Sequence, residues 1–427
     1  MKPARFTNQN KKKFDFNQWN SICSRYFMCI QYICFKILGL APWTLNMSKV
    51  LKKNQKARFC GRNICSYSCI GSCYNIILVI ICFALNCDFL FKKTSTLLDF
   101  DSQMSALVLT RYVLIFSALI ISLNNIVLTI YQKSLIKIIN KFENMNKKLR
   151  LLNGYSHSYE PEFDFTMYFL FIFNFFVLGI SKEIQTINNF QLIVMIINQI
   201  VVDFITSGVI MQHTIFLTMI IKRLEKINSA LSKLLGAKII GNQAHALSTI
   251  STIQSSIFSD VILSDLNNII SAYIDLCEIC ENLQDIYGFP ILISTVTLSI
   301  RNTFYMYLLF LHYFVGLSSM KYGIYDFVIL LSWCIFLLII LTSSVTKAVN
   351  QSKKMVKLVD LLLIRYYADQ QLKEKLTNLS SFLTIAKIDF TACEMIPLNR
   401  TLLAMTASTI ASYIVIAIQF KINSTSK

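Results

Sequence analysis

Residues 326–349 read Asp-Phe-Val-Ile-Leu-Leu-Ser-Trp-Cys-Ile-Phe-Leu-Leu-Ile-Ile-Leu-Thr-Ser-Ser-Val-Thr-Lys-Ala-Val. No charge interrupts Phe327 to Thr346, so this run is long enough to cross a hydrocarbon core of about 30 Å as one helix. Working outward, six more stretches have the same character: Tyr67–Phe91, Met104–Tyr131, Phe163–Ser181, Gln191–Ile221, Tyr287–Val315 and Leu402–Phe420. In lipid each must be helical, because every backbone N–H and C=O needs a partner within the segment. The expected fold is an all-α polytopic membrane protein with seven transmembrane helices.

The basic residues orient it. Residues 1–66 hold 13 Lys and Arg and one acid, Asp15; the segments 132–162, 222–286 and 347–401 hold 6, 5 and 9 basic residues. The alternate segments 92–103, 182–190, 316–325 and 421–427 hold 2, 1, 1 and 2, and Arg111 and Arg301 lie within spans. The excess of Lys and Arg marks the cytosolic side. It places the N-terminus in the cytosol and the C-terminus outside, opposite to a G-protein-coupled receptor.

Composition agrees. The 427 residues are 55% hydrophobic and 15% charged, which describes one integral domain rather than a string of soluble ones. The formal charge of +18 is topological, since Lys and Arg beside the bilayer attract anionic lipid. No nucleic-acid partner is implied. The first twenty residues are polar and basic, so no cleavable signal peptide is expected. Ser21–Ala41 is apolar but broken by Arg25, Gln31 and Lys36, and is expected to be a cytosolic or interfacial amphipathic helix ending at Pro42.

Two polar-flanked stretches keep a helical apolar period. One runs through Ile262, Leu266, Ile269, Tyr273, Leu276 and Cys280; the other through Val359, Leu362, Tyr366, Leu372, Leu376, Leu379 and Leu383. Both join a span without a breaker, so the fifth and sixth spans are expected to continue as long cytosolic helices. The resulting divisions are a basic cytosolic segment (1–66), six spans with helix extensions (67–349), cytosolic helices (350–401), and a last span with a short extracellular tail (402–427).

Little here supports catalysis. The four histidines, His157, His213, His245 and His312, are scattered, and no phosphate loop, carboxylate pair or nucleophile elbow appears. No cofactor or metal is expected. Cys65, Cys69 and Cys73 fall four apart with Cys60 before them, and Cys277 and Cys280 form a Cys-x-x-Cys, yet no histidine accompanies either group. Reduced thiols, acylated cysteines or plain membrane-helix composition remain as readings.

Polar and aromatic residues gather instead in the outer halves of the spans: Arg111, Tyr112, Asn174, Asn198, Asp203, Tyr305, Tyr307, His312, Tyr313 and Trp333. Charges inside a membrane pair with one another and face the interior, so Asp203 is expected to pair with Arg111 or Arg301. Aromatic faces with a few polar groups suit a small organic ligand; interfacial anchoring and interhelical hydrogen bonds are the structural alternative. In the last span Thr409, Ser412, Ile416 and Gln419 share one helix face. Around a four-fold axis that face could line a pore, with Ile416 as a constriction that gates by dewetting.

The last span reads Ser412-Tyr413-Ile-Val-Ile-Ala-Ile-Gln419-Phe420. This resembles the signature of the insect gustatory receptors, Thr-Tyr, five hydrophobic residues and Gln-Phe, with Ser412 in place of Thr. Asp389-Phe390-Thr391-Ala392-Cys393, Asn399-Arg400-Thr401 and the early Ile37-Leu38-Gly39-Leu40-Ala41-Pro42 also look like that family. The resemblance implies a tetrameric, homo- or hetero-oligomeric, ligand-gated non-selective cation channel in the plasma membrane of sensory neurons. It would open on binding a tastant and drive acceptance or avoidance. It makes Gln419, Phe420 and Ile416 the gate candidates. An odorant receptor of the same superfamily is the near alternative and a G-protein-coupled receptor a remote one.

Overall fold

The computed structural model describes residues 16–47, 65–91, 119–150, 172–174, 190–244, 251–315 and 324–425, apart from positions 121 and 368. Most of the expected spans Met104–Tyr131 and Phe163–Ser181, with Cys60, His157 and His245, lies outside the described residues. The helices are α1 (Phe16–Ile37), α2 (Cys69–Phe91), α3 (Gln132–Arg150), α4 (Phe190–Ala244), α5 (Ser251–Val315), α6 (Ile324–Arg365), α7 (Gln370–Ile385) and α8 (Thr401–Thr425). Two small antiparallel ladders join them: β1 (Thr44–Leu45) with β2 (Cys65–Ser66), and β3 (Thr391–Ala392) with β4 (Ile396–Pro397).

Among the described residues three helices are long and apolar enough to cross a membrane, through Val201–Gly236 in α4, Val261–Phe310 in α5 and Phe327–Arg365 in α6. The described apolar parts of α2 and α8 are shorter, Cys69–Ala84 and Thr401–Ile416. α4 is the centre of the bundle and packs most extensively on α6, with α5 against α3 and α6. Val202, Ile205, Val209, Ile210, Leu217 and Ile220 of α4 are sealed from any solvent. In lipid the gain from such contacts is packing, because lipid tails are as apolar as the side chains they replace.

Helix length exceeds what a membrane needs. α5 runs unbroken for 65 residues, passing through Pro290, so the 262–283 stripe and the fifth apolar stretch are one rod. α4 does likewise for 55 residues, an extension that hydropathy alone does not announce. At this end Lys137 and Lys141 pair with Glu278, and Lys148 with Asp275 at 2.5 Å. The Lys141 ammonium holds the Glu278 carboxyl below the usual carboxylate range. Beneath these partly exposed pairs, Phe142, Met145, Ile269, Tyr273 and Leu276 are buried.

The 355–383 stretch departs from expectation. It is two helices, not one: α6 stops at Arg365, and Asp369 caps α7, its carboxylate accepting from the Leu372 N–H at 3.2 Å. α7 then folds back on α6, burying Leu372, Leu376, Leu379 and Leu383. The apolar stripe slips at the turn: Tyr366 and Leu372 are six residues apart, about 240° round a single helix, so the two halves do not share one face.

The Ser21–Ala41 expectation also changes. α1 ends two residues before a Schellman cap: Gly39 lies at φ 79°, its N–H donates to Lys36 O at 3.1 Å, and Leu40 N–H donates to Phe35 O at 2.8 Å. The following strap, Leu38–Trp43, is buried among the helices rather than lying on a surface, with Leu40 and Ala41 essentially inaccessible. Its carbonyls are taken up one by one. Asn75 of α2 donates to Gly39 O at 2.7 Å, Gln212 of α4 to Leu40 O at 3.1 Å, Gln132 of α3 to Pro42 O at 3.0 Å, and Tyr32 to Trp43 O at 2.7 Å. Buried carbonyls demand such partners.

Gly71 is what lets the strap approach α2. A Cβ there would overlap the Pro42 carbonyl oxygen, a backbone atom that cannot swing aside. Gly71→Ala is therefore expected to push the strap off α2 and to lower the melting temperature of the detergent-solubilised receptor by several degrees. Fluorescence-detected chromatography after heating measures it, and an unchanged transition would mean that the strap does not support the bundle.

Candidate functional site

The structure joins Asp203 of α4 to Arg301 of α5, an ion pair within the membrane-crossing windows. Both side chains are nearly sealed, at 7% and 3% exposure. Burying two charges is costly and is tolerated only when they pair. Of the two partners expected for Asp203, Arg301 is the one found. Arg111 and Tyr112 lie outside the described residues.

Around the pair stand polar groups without partners. Asn174 donates to Ser207 at 3.0 Å, and Ser207 donates back to the Asp203 carbonyl at 2.7 Å, which ties the third expected span to α4 beside the carboxylate. The Asn174 Oδ1, both amide atoms of Asn302, Nε and Nη2 of Arg301, Oγ1 of Thr206 and Nε1 of Trp333 are buried with no hydrogen-bond partner among the described residues. An orphaned buried polar atom costs about 1–3 kcal/mol. Other such atoms lie elsewhere in the bundle, on Asn124, Asn125, His213 and Tyr287 among others; what distinguishes this group is its company with the buried ion pair.

Aromatic rings adjoin it. Trp333 of α6 is buried, with Phe173 edge-on at 5.5 Å between ring centroids and Phe336 at 5.6 Å. Tyr305 is buried between Phe304 and Phe327, at 6.1 and 6.4 Å. Tyr307 is half-buried. Asn198, His312 and Tyr313 are on α4 and α5, but their side chains lie outside the described residues. Sequence reasoning missed Asn302, although an Asn beside an Arg inside an apolar run was a legible signal.

The candidate gate looks different. Thr406 of α8 is buried against the bundle, but from Ala407 to Gln419 no described residue is. Ile416 is 46% exposed and Tyr413 57%. Thr409 and Ser412 donate to the carbonyls of Met405 and Ser408, at 2.9 and 3.0 Å, so their hydroxyls are satisfied within the helix. Gln419 is exposed, and the Phe420 side chain lies outside the described residues.

A hairpin connects α8 to the rest. Between β3 and β4 two consecutive non-glycine residues, Cys393 and Glu394, adopt left-handed backbone at φ 51° and 59°. The turn sits on α5, where Gln284 donates to Thr391 Oγ1 at 2.7 Å and Gly288 leaves only enough room for the Cys393 backbone. Phe390 meets the buried His213 ring of α4 edge-on at 6.4 Å. The segment that leads into α8 thus touches both α4 and α5.

Cys277 and Cys280 are buried in α5, and burial pushes the Cys277 thiol up to about 11. Both stay protonated packing groups at neutral pH. Among the described residues no three His, Cys, Asp or Glu side chains gather to hold a metal ion.

Comparison with known proteins adds three findings. A family model described as 7tm Chemosensory receptor matches residues 28–424. Putative gustatory receptor 28a of Drosophila melanogaster is 23% identical over 156 residues, and the match spans 34% of this chain and 33% of that relative's length. The olfactory receptor OR5 of Machilis hrabei, solved in complex with eugenol, superposes with a TM-score of 0.62 at 14% identity, covering 94% of this chain and all of that one. The structure of the same receptor described without eugenol gives 0.59 at 13%. At such identities these matches establish the fold.

Proposed function

This chain belongs to the 7tm chemosensory receptor family, and on that premise we propose that it is a taste receptor of the gustatory type. It acts as a ligand-gated, non-selective cation channel with seven spans, the N-terminus cytosolic and the C-terminus outside. Four subunits assemble with α8 around the axis, and Ile416, Gln419 and Phe420 form the gate. Binding of a tastant depolarises a sensory neuron through its plasma membrane.

The observation that carries this reading is the uncovered last helix. A membrane helix with a polar seam and no buried residue among the described ones from Ala407 to Gln419 needs either lipid or further subunits around it. Gln419 on that surface suits a water-filled axis better than lipid. The ligand site is the Asp203–Arg301 cluster with Asn174, Asn302, Tyr305 and Trp333. Its unpartnered donors and acceptors suit a small organic molecule with hydroxyl or carbonyl groups, and its aromatic rings suit that molecule's apolar face.

A small organic ligand is in keeping with the similar olfactory receptor solved with eugenol. An odorant receptor is the alternative within the superfamily, because the shared fold does not separate the two branches. The gustatory relative and the Gln419-Phe420 ending favour taste.

Excised patches from transfected cells test the mechanism. With no nucleotide in the bath, a tastant panel is expected to evoke cation current within milliseconds. Tags at the N- and C-termini are expected to stain inside and outside, respectively. An intracellular C-terminus, or responses that vanish on excision and return with GTP, would overturn the channel reading.

A further inference from the structure

We propose that Cys69 and Cys73 are S-acylated, anchoring the start of α2 to the inner membrane surface through two thioester-linked fatty chains. The proposal rests on which thiols face outward. Among the described cysteines, Cys29, Cys65, Cys82, Cys277, Cys280 and Cys334 are buried and Cys34 is partly so, whereas Cys69, Cys73 and Cys393 are exposed.

Cys69 and Cys73 are one turn apart and open a stripe that continues through Ile76, Ile80 and Phe83, at i, i+4, i+7, i+11 and i+14. These three apolar side chains are 54%, 60% and 54% exposed, and Ile70 beside them is 83% exposed. An apolar face this exposed on a membrane helix is covered by hydrocarbon or by another subunit, and hydrocarbon is assigned here because α8 is the helix proposed to face the other subunits. The opposite face, with Gly71, Asn75 and Cys82, packs inward. The two thiols therefore project from the lipid-facing side and not toward the bundle.

Independent features put them at the membrane boundary. Ser68 caps the helix, accepting from Gly71 N–H at 3.0 Å, so Cys69 is its first residue. Tyr67 and Tyr74 flank the pair, both partly exposed, the Tyr74 hydroxyl donating to Ile37 O at 2.6 Å. Tyrosines gather at the level of lipid headgroups. Lys133 stands 5.8 Å from the Tyr67 ring centre, and Lys49, Lys52, Lys53, Lys56, Arg58 and Arg62 precede the helix in sequence. A basic segment beside juxtamembrane cysteines is the setting in which acyl chains and charge together hold a peptide on anionic lipid.

The chemistry is acyl exchange. The cysteine thiolate attacks the carbonyl carbon of a fatty acyl-coenzyme A thioester. A new C–S bond forms to the protein, the old one breaks, and the coenzyme leaves as a thiol carrying the proton. Nothing is oxidised or reduced.

Acyl-exchange labelling of the full-length receptor from insect cells tests it. Free thiols are blocked with N-ethylmaleimide, thioesters are cleaved with neutral hydroxylamine, and the thiols released are tagged with a polyethylene-glycol maleimide that adds one mass step each. Variants are compared on material with the same monodisperse chromatographic peak. The native receptor is expected to show at least two hydroxylamine-dependent steps. Cys69→Ser and Cys73→Ser should each lose one, and the double variant both, while Cys393→Ser loses none. Absence of steps in the native receptor, or loss of fewer than two in the double variant, would overturn the assignment.

Discussion

Replacing Asp203 with Asn is expected to remove most of the receptor from the cell surface. The substitution keeps the shape but leaves the Arg301 guanidinium, 3% exposed, as an uncompensated charge among apolar helices. Breaking a buried pair from one side costs about 3–5 kcal/mol, a factor of roughly a hundred or more in the folded population. Removing both charges together, as Asp203→Asn with Arg301→Gln, should recover surface expression, because no lone ion remains. Surface biotinylation reads the first effect. Dose–response curves on the double variant read the second: if the pair also touches ligand, potency falls although the protein is present. Reversal potentials should stay native in either case. A shift in cation permeability would put Asp203 in the conduction path and refute its assignment to the ligand site.

Ile416→Ser is expected to raise current in the absence of any ligand by several-fold. A narrow apolar ring excludes water, and a hydroxyl in its place lowers the barrier to wetting. Because Ile416 is exposed within one subunit, the change should leave the fold intact, so basal current at matched surface expression is a clean measure. Gln419→Glu places a carboxylate on the same face and should alter cation permeability, whereas Tyr413, on a neighbouring face, should act on assembly. Native leak, conductance and selectivity in all substitutions at Ile416 and Gln419 would show that this face does not line a pore.

Long uncharged runs make the helices legible, and their scarcity of charge makes Asp203 and Arg301 conspicuous enough to pair on sequence grounds. The turn between α6 and α7 shows in the sequence as a slip of the apolar stripe, since Tyr366 and Leu372, six residues apart, fall on different faces of one helix. The better signal is Asp369 three residues before Leu372, the spacing of a capping carboxylate. Residues 38–43 are obscured. Leu-Gly-Leu-Ala-Pro-Trp has no period, and its stability comes from amides far away in the chain, on Asn75, Gln132 and Gln212. Asn302 is overshadowed by Arg301, whose charge is a louder signal inside an apolar run than the amide next to it.

The strap carries a consequence for biosynthesis. Pro42 receives its hydrogen bond from a residue 90 positions later, and Leu40 from one 172 positions later. At about 5–20 residues per second of synthesis, the Leu40 carbonyl waits on the order of ten to thirty seconds for Gln212 to leave the ribosome. Until the fourth span has been inserted, the clasp has no tongue. A segment near the N-terminus is thus fastened only after about half of the chain has been made.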